Sequence, residues 1–463
     1  METVATPRRE AIEFTPFADR PNEVIDTPAT SPGIAWPLWQ KILFRFFAVY
    51  WVLQIGPWNW FRAIPGVSFI LRPYYMAVDW AVRQGNAHLF HVREKLVMMN
   101  GSGDTSYAYA QLCLFLSLAA ASAIVWTVLD RKRPNYERAA FWLRQIVRYY
   151  VAMAALSYGI IKLFVFQMPF PTISNLATPL GDFLPMRFSW LFIGYSTPYE
   201  FFSGAAEFGA GLLLLYRRTV TAGLFAATGA FMNVVMINLA YDVPVKLYAS
   251  HLLVGCLFLL AWDARRLIGF LFLNRGATPA TQYDFKYSKT WQPWAVNAVK
   301  LFMLWQILYQ PAVGNWTRYQ ASKQPPPPGP FKVGVYDVRT FVVNRDTIPL
   351  TSTDSLRWRD VIIDNNTAGS VGSRDSVFWQ RYRRGYFRYR PDTATRTMAV
   401  WKISTIPGDS TFLFNMRYEV PDTNTVKLYA TIRGDSVFAE LVRTPRHFQL
   451  TERQFHWLSE YNR

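Results

Sequence analysis

Apolar stretches long enough to cross a bilayer recur through the first two thirds of this chain and then stop. That segregation constrains its fold more than any other feature. The stretches fall at residues 42–61, 107–129, 139–166, 199–216, 220–240, 249–273 and 294–313, and about 20 apolar residues cover the roughly 30 Å hydrocarbon core. Segregation also reconciles two figures that conflict in a uniform chain. Of 463 residues 51% are hydrophobic and only 17% charged, yet mean hydropathy is near zero, at +0.05. A membrane part and a polar part average to that value. The expectation is a membrane all-α helical bundle of about seven transmembrane helices, residues 36–316, followed by a small antiparallel β domain, residues 333–463.

Residues 1–35 read as a disordered cytoplasmic tail, rich in proline and without apolar periodicity. It has no apolar h-region, so the first span serves as the insertion signal. The stretch 62–105, with Tyr74, Tyr75 and Trp80 among scattered charges, reads as interfacial. Residues 317–332 form a linker around Gln324-Pro325-Pro326-Pro327-Pro328-Gly329-Pro330, a stiff polyproline spacer. Beyond it, alternating runs such as Val333 to Val338 and Val426 to Ala430 alternate with turn signals at Pro407-Gly408-Asp409, Pro421-Asp422 and Arg433-Gly434-Asp435, the texture of antiparallel strands.

The charge supports an orientation. Arg131-Lys132-Arg133, Arg217-Arg218 and Arg265-Arg266 follow or end the second, fourth and sixth stretches, so alternating spans gather all three on one side. Basic residues collect on the cytoplasmic side, which puts the N-terminus there, the β domain outside, and the chain in a cell (inner) membrane. Of the net +18, residues from Thr317 onward carry 22 basic against 14 acidic side chains, a surplus of +8. A pI near 9.8 would suggest nucleic-acid binding in a soluble protein, but no basic recognition helix, zinc finger or aromatic-basic RNA motif is present, and no nucleic-acid partner is expected. Cys113 and Cys256, far apart in apolar runs, exclude a disulfide framework, a CxxC pair and a cysteine metal site.

Ionisable side chains within spans cost about 2.5 to 3.5 kcal/mol each on insertion, so each needs a partner or a purpose. Lys162 ends the third stretch, with Tyr158 one turn earlier on the same face. Glu200 and Glu207 share a face of the fourth with Gly204 and Gly211; Asn233, Asn238 and Asp242 mark the fifth; Lys246 lies in the turn; His251 is one turn into the sixth. Alternating spans bring these residues to the outer half of the bundle. Two readings stand: a polar pocket, or internal pairing of Lys162 with Glu207 or Glu200 and of Asp242 with Lys246. The segment Ser102-Gly103-Asp104-Thr105 either caps the second span or contacts that pocket.

The region 139–273 resembles the DoxX-like membrane proteins. The resemblance is carried by Tyr158-Gly159-Ile160-Ile161-Lys162 at one helix end and by Glu207-Phe208-Gly209-Ala210-Gly211-Leu212-Leu213-Leu214-Leu215 running to Arg217-Arg218. It implies a four-helix membrane core and, from one branch of the family, a quinone site. The order of bundle and β domain is also similar to vitamin K-dependent carboxylase-like proteins, which would make Lys162 a base. Three functions follow as expectations. The first is a small apolar or amphipathic ligand, a quinone or lipid, held by Tyr158, Glu200, Asn233, Asn238, Asp242 and Lys246. The second is a quinone-linked oxidoreductase or carboxylase-like membrane enzyme using Lys162, Glu207 and His251. The third is a membrane-anchored assembly component whose Arg381, Tyr382, Arg383, Arg384, Tyr386, Arg388, Tyr389 and Arg390 dock a periplasmic partner.

Overall fold

The α-helices of the first part are set by apolar residues recurring at helical spacing, with Leu143, Val147, Val151 and Ala155 buried along one of them. The computed structural model describes residues 35–98, 100–276, 287–325, 329–351, 356–365, 367–374, 382–403, 410–453 and 455–460. The N-terminal tail before residue 35, Pro326 to Pro328, Arg381 and the turn at Pro407-Gly408-Asp409 lie outside them.

The helices are α1 (Leu38–Ile55), α2 (Val67–Gly85), α3 (Ser106–Leu129), α4 (Glu137–Leu163), α5 (Ile173–Leu176), α6 (Pro185–Tyr195), α7 (Thr197–Leu215), α8 (Val220–Ala240), α9 (Lys246–Ala261), α10 (Ala264–Leu271), α11 (Trp291–Leu304) and α12 (Gln310–Lys323). Neighbours α4, α7, α8 and α9 close a ring, and α1 packs between α3 and α4. The central contact joins α4 to α7. At Gly159 a Cβ would lie 2.6 Å from the Phe208 backbone nitrogen, and at Gly204 one would lie 2.6 Å from the Lys162 Cβ. Two backbones this close admit only hydrogen at the crossing. Farther along, Arg148 of α4 donates to the Leu214 and Leu215 carbonyls at 2.6 and 2.7 Å, covering orphan acceptors at the end of α7.

The expected seven spans are not what forms. Among the described residues, α3, α4 and α8 are long and apolar enough to cross a membrane; α9 with α10 makes a fourth only if that pair, bent by 82°, is one span. The other expected spans are diluted by polar groups. Helix α1 has 18 residues and includes Lys41 and Arg45, and α7 carries Glu200, Ser203 and Glu207. The last stretch is interrupted by a π-helical turn at Trp305–Tyr309. Aromatic content raised the apolar count of these segments without the aliphatic hydropathy of α3.

The β part, expected as a small antiparallel domain, is a closed barrel. Its strands are β1 (Gly334–Val343), β2 (Asp346–Thr347), β3 (Asp360–Asn365), β4 (Ala368–Gly372), β5 (Arg384–Asp392), β6 (Thr397–Ile403), β7 (Ser410–Glu419), β8 (Thr425–Ile432) and β9 (Asp435–Thr444). All pairs are antiparallel, β1 also pairs with β9 from Val335↔Thr444 to Val343↔Val437, and short β2 is an appendage on β1. Eight strands thus close on themselves, which removes free edges. Tyr336, Val338 and Phe341 of β1 all join the barrel core, the odd step being absorbed by a bulge between Val338 and Thr340. Aromatic and branched side chains fill the interior, leaving about 30 Å³, roughly the room one water needs.

The segment between α4 and α7 docks on the barrel wall. Val335, Ile362, Ser370 and Tyr386 form a row across β1, β3, β4 and β5, and Val335 and Ile362 bury against Ala177. Ser174, the second residue of α5, donates its backbone N–H to Asp364 Oδ1 at 2.8 Å and its hydroxyl to Asp364 Oδ2 at 2.6 Å. Its Oγ therefore accepts from the Ser370 hydroxyl at 2.6 Å, and Ser370 Oγ accepts from Arg384 Nε at 2.9 Å. Arg384 also pairs with Asp360 across Gly372, where a Cβ would stand 2.9 Å from the Asp360 carboxylate. The Arg/Tyr strip expected to bind another protein is partly used here: Arg383 pairs with Asp182 at 3.0 Å, and Tyr382 Oη accepts from Arg187 Nε at 3.0 Å. Ser174→Ala leaves Ser370 and Asp364 with an unmet bond each, and a buried loss of this kind costs about 1–3 kcal/mol. Thermal melting of the full-length protein should register it as a fall in Tm, with Ser174→Thr closer to wild type.

Candidate functional site: a cavity among the helices

A cavity of about 330 Å³ lies inside the ring at the end nearest the barrel. Helix α4 supplies Tyr158 and Lys162; α7 supplies Phe202, Ser203, Ala206 and Glu207; α8 supplies Asn233, Ile237 and Asn238; Tyr248 and Leu252 come from α9. Met168, Met186 and Trp190, from the segment that docks the barrel, complete its wall. Most of this surface is apolar, with a few polar groups converging on it, which is how small-molecule sites are generally built.

The polar centre is the ion pair of Lys162 with Glu207. Both side chains are buried, at 5% and 3% exposure, and their helices meet at Gly159 and Gly204. Glu207 Oε1 takes the lysine, while Oε2, also buried, has no hydrogen-bond partner. Asn238 is buried and donates to the Val245 carbonyl at 3.4 Å. Asn233, five residues deeper on α8, is exposed and lines the cavity.

Four residues expected in the site stand apart from this cavity. Glu200 is wholly buried, and its Oε1 accepts the backbone N–H groups of Gln167 and Met168 at 3.1 and 3.0 Å. It anchors the turn that leaves α4, where Val165 holds a left-handed φ of 55°, an outlier for a β-branched residue. His251 faces α1: Nδ1 donates to the Leu247 carbonyl at 2.6 Å, so Nε2 of the neutral ring accepts from Tyr50 Oη at 2.6 Å. Asp242 and Lys246 pair at 2.6 Å at the surface, Asp242 being 83% exposed.

The segment Ser102-Gly103-Asp104-Thr105, expected either to cap the second span or to contact the pocket, caps two helices. Asp104 accepts from the Lys246 and Leu247 backbone N–H groups at 2.8 and 2.9 Å, capping α9 from a distant loop. Thr105 caps its own helix by accepting from Ala108 N at 3.3 Å, and Gly103 N donates to the Pro244 carbonyl at 2.7 Å. That loop therefore fastens the α8–α9 turn over the cavity, and Gly101 joins the lining. Nothing local marks Asp104 for this role, because its partners are 142 and 143 residues away. Among the described residues, no group of three His, Cys, Asp or Glu side chains is placed to hold a metal ion.

A buried ion pair is fragile in a specific way: removing one partner leaves the other charge uncompensated. Lys162→Met should lower stability by about 3–5 kcal/mol, and adding Glu207→Gln should recover much of it. Denaturant titration of both variants in detergent checks the ordering.

No protein-family model matches this chain, and no solved structure matches it. It is 40% identical over 81 residues, 18% of its own length, to the uncharacterised protein YwoB of Bacillus subtilis (strain 168). The chain spans about half, 53%, of that curated relative.

Proposed function

We propose that this is an integral membrane protein that binds a small amphipathic ligand, a quinone or lipid, in the cavity beside Lys162 and Glu207. The observation that carries the reading is a cavity of about 330 Å³ with apolar walls and one buried ion pair. Interiors ordinarily fill such space, and a desolvated charge pair strengthens any hydrogen bond made to it.

Membrane residence rests on the exteriors of α3, α8 and α9, where Ile124, Val125, Phe225, Met236, Val254 and Leu257 lie exposed. Contiguous apolar surface on this scale calls for a covering phase. The orientation in a cell (inner) membrane is supported by the basic clusters after α3 and α7, at the ends away from the barrel. The described N-terminus lies at that same end, Trp36 N donating to the Pro134 carbonyl at 2.9 Å. The barrel then stands on the extracytoplasmic side. The ring of α4, α7, α8 and α9 supports kinship with the DoxX-like proteins.

Ala206→Trp projects an indole into the cavity from a position that is already exposed. Native mass spectrometry of wild type released from detergent should retain a bound amphiphile, and Ala206→Trp should lose it. A wild-type spectrum without retained ligand would count against the reading.

A further inference from the structure

One buried oxygen in the cavity wall bears on the head group that the cavity takes, and this inference rests on the amphiphile reading above. Glu207 Oε1 is occupied by Lys162, whereas Oε2 is buried without a partner, on a residue 3% exposed that lines the cavity. An ionised carboxylate oxygen is an acceptor only. Leaving it unpaired in a buried site costs more than an ordinary hydrogen bond contributes, so the group that meets it must bring a proton donor. A carbonyl or ether head group cannot. An alcohol can.

The second observation concerns access. Phe202 and Ala206 of α7, with Gly229 and Asn233 of α8, line the cavity and are also exposed. Asn233 stands on a helix apolar enough to span a membrane, with Met232 and Met236 exposed beside it. A polar amide there would face hydrocarbon. It lines the cavity beside Ala206 and Gly229, which put no large side chain between α7 and α8 there.

We propose that the ligand is a hydroxyl-bearing lipid that enters from the bilayer between α7 and α8, its hydroxyl passing Asn233 and donating to Glu207 Oε2. The Lys162 ammonium retains further N–H donors for the hydroxyl's own oxygen. The chain remains along Phe202, Ile237 and the opening. No bond is made or broken; the site reads a donor.

Two photoreactive probes of equal chain length test this in phosphatidylcholine nanodiscs: a diazirine-bearing tetradecanol and its methyl ether. Labelled peptides from α7 and α8 are quantified by mass spectrometry. Wild type should be labelled about tenfold more by the alcohol, the discrimination of one hydrogen bond to a charged acceptor. Ala206→Trp should abolish both labels. Glu207→Gln in the Lys162→Met background should bring the two probes within about twofold, because the acceptor-only carboxylate is replaced by an amide that accepts from the alcohol and donates to the ether alike. Equal labelling of wild type by both probes overturns the hydroxyl assignment while the amphiphile reading stands. Absence of cavity labelling by either probe, or labelling that Ala206→Trp leaves intact, overturns both.

Discussion

The antiparallel crossing of α4 and α7 is the contact on which the rest of the helical part depends. Two pins set its register: the Arg148 guanidinium on the carbonyls that end α7, and the Lys162 ammonium on Glu207. Between them Gly159 and Gly211 meet Phe208 and Leu156 too closely for a side chain. Close backbone approach gives dispersion contact that neither helix could obtain with larger residues. It also sets the ion pair deep inside the ring, where the cavity opens beside it.

The end of α4 passes this geometry to the barrel. Glu200 holds the chain reversal at Gln167 and Met168, and the next residues form both the cavity wall and the docking surface through Ser174. One segment therefore touches cavity and barrel at once. The hydrogen-bond chain from Arg384 through Ser370 and Ser174 to Asp364 has a single consistent direction, because arginine only donates and the carboxylate only accepts. Part of the barrel's basic surplus is consumed in this joint, through Arg383 and Arg384. Arg388 and Arg390, on alternate positions outside the barrel, remain exposed.

The sequence carried the break between apolar and polar halves, the alternation of β1 and β5, and the need of Lys162 for a carboxylate, with Glu207 and Glu200 both open as its partner. Tyr158, Lys162, Glu207, Asn233 and Asn238 do line one cavity. Glu200, Asp242, Lys246 and His251 looked equivalent to them, since each is a polar residue at the same end of an apolar run. Glu200 and His251 are separated from the cavity by rotation about the helix axis, since one residue turns a side chain by about 100°, enough to move His251 to Tyr50 on α1. Asp242 and Lys246 instead pair at the turn between α8 and α9. The number of spans was overread for a different reason. Tryptophan and tyrosine count as apolar in composition, but their polar edges make α1 and the α11–α12 stretch poorer membrane spans than α3.

The sequence by itself determined which segments bury apolar surface, with what period, and which charges must be compensated, because those follow from side-chain chemistry within about one helical turn or strand pair. Only the tertiary structure decided what each face meets. Closure of the barrel joins β1 to β9, capping of α9 comes from Asp104, and Tyr382 and Arg383, just before β5, meet the chain's own α5–α6 segment, 195 residues away for Arg187 and Tyr382. Such contacts arise from packing whole elements against one another, and local residue order does not encode which partner a face will find.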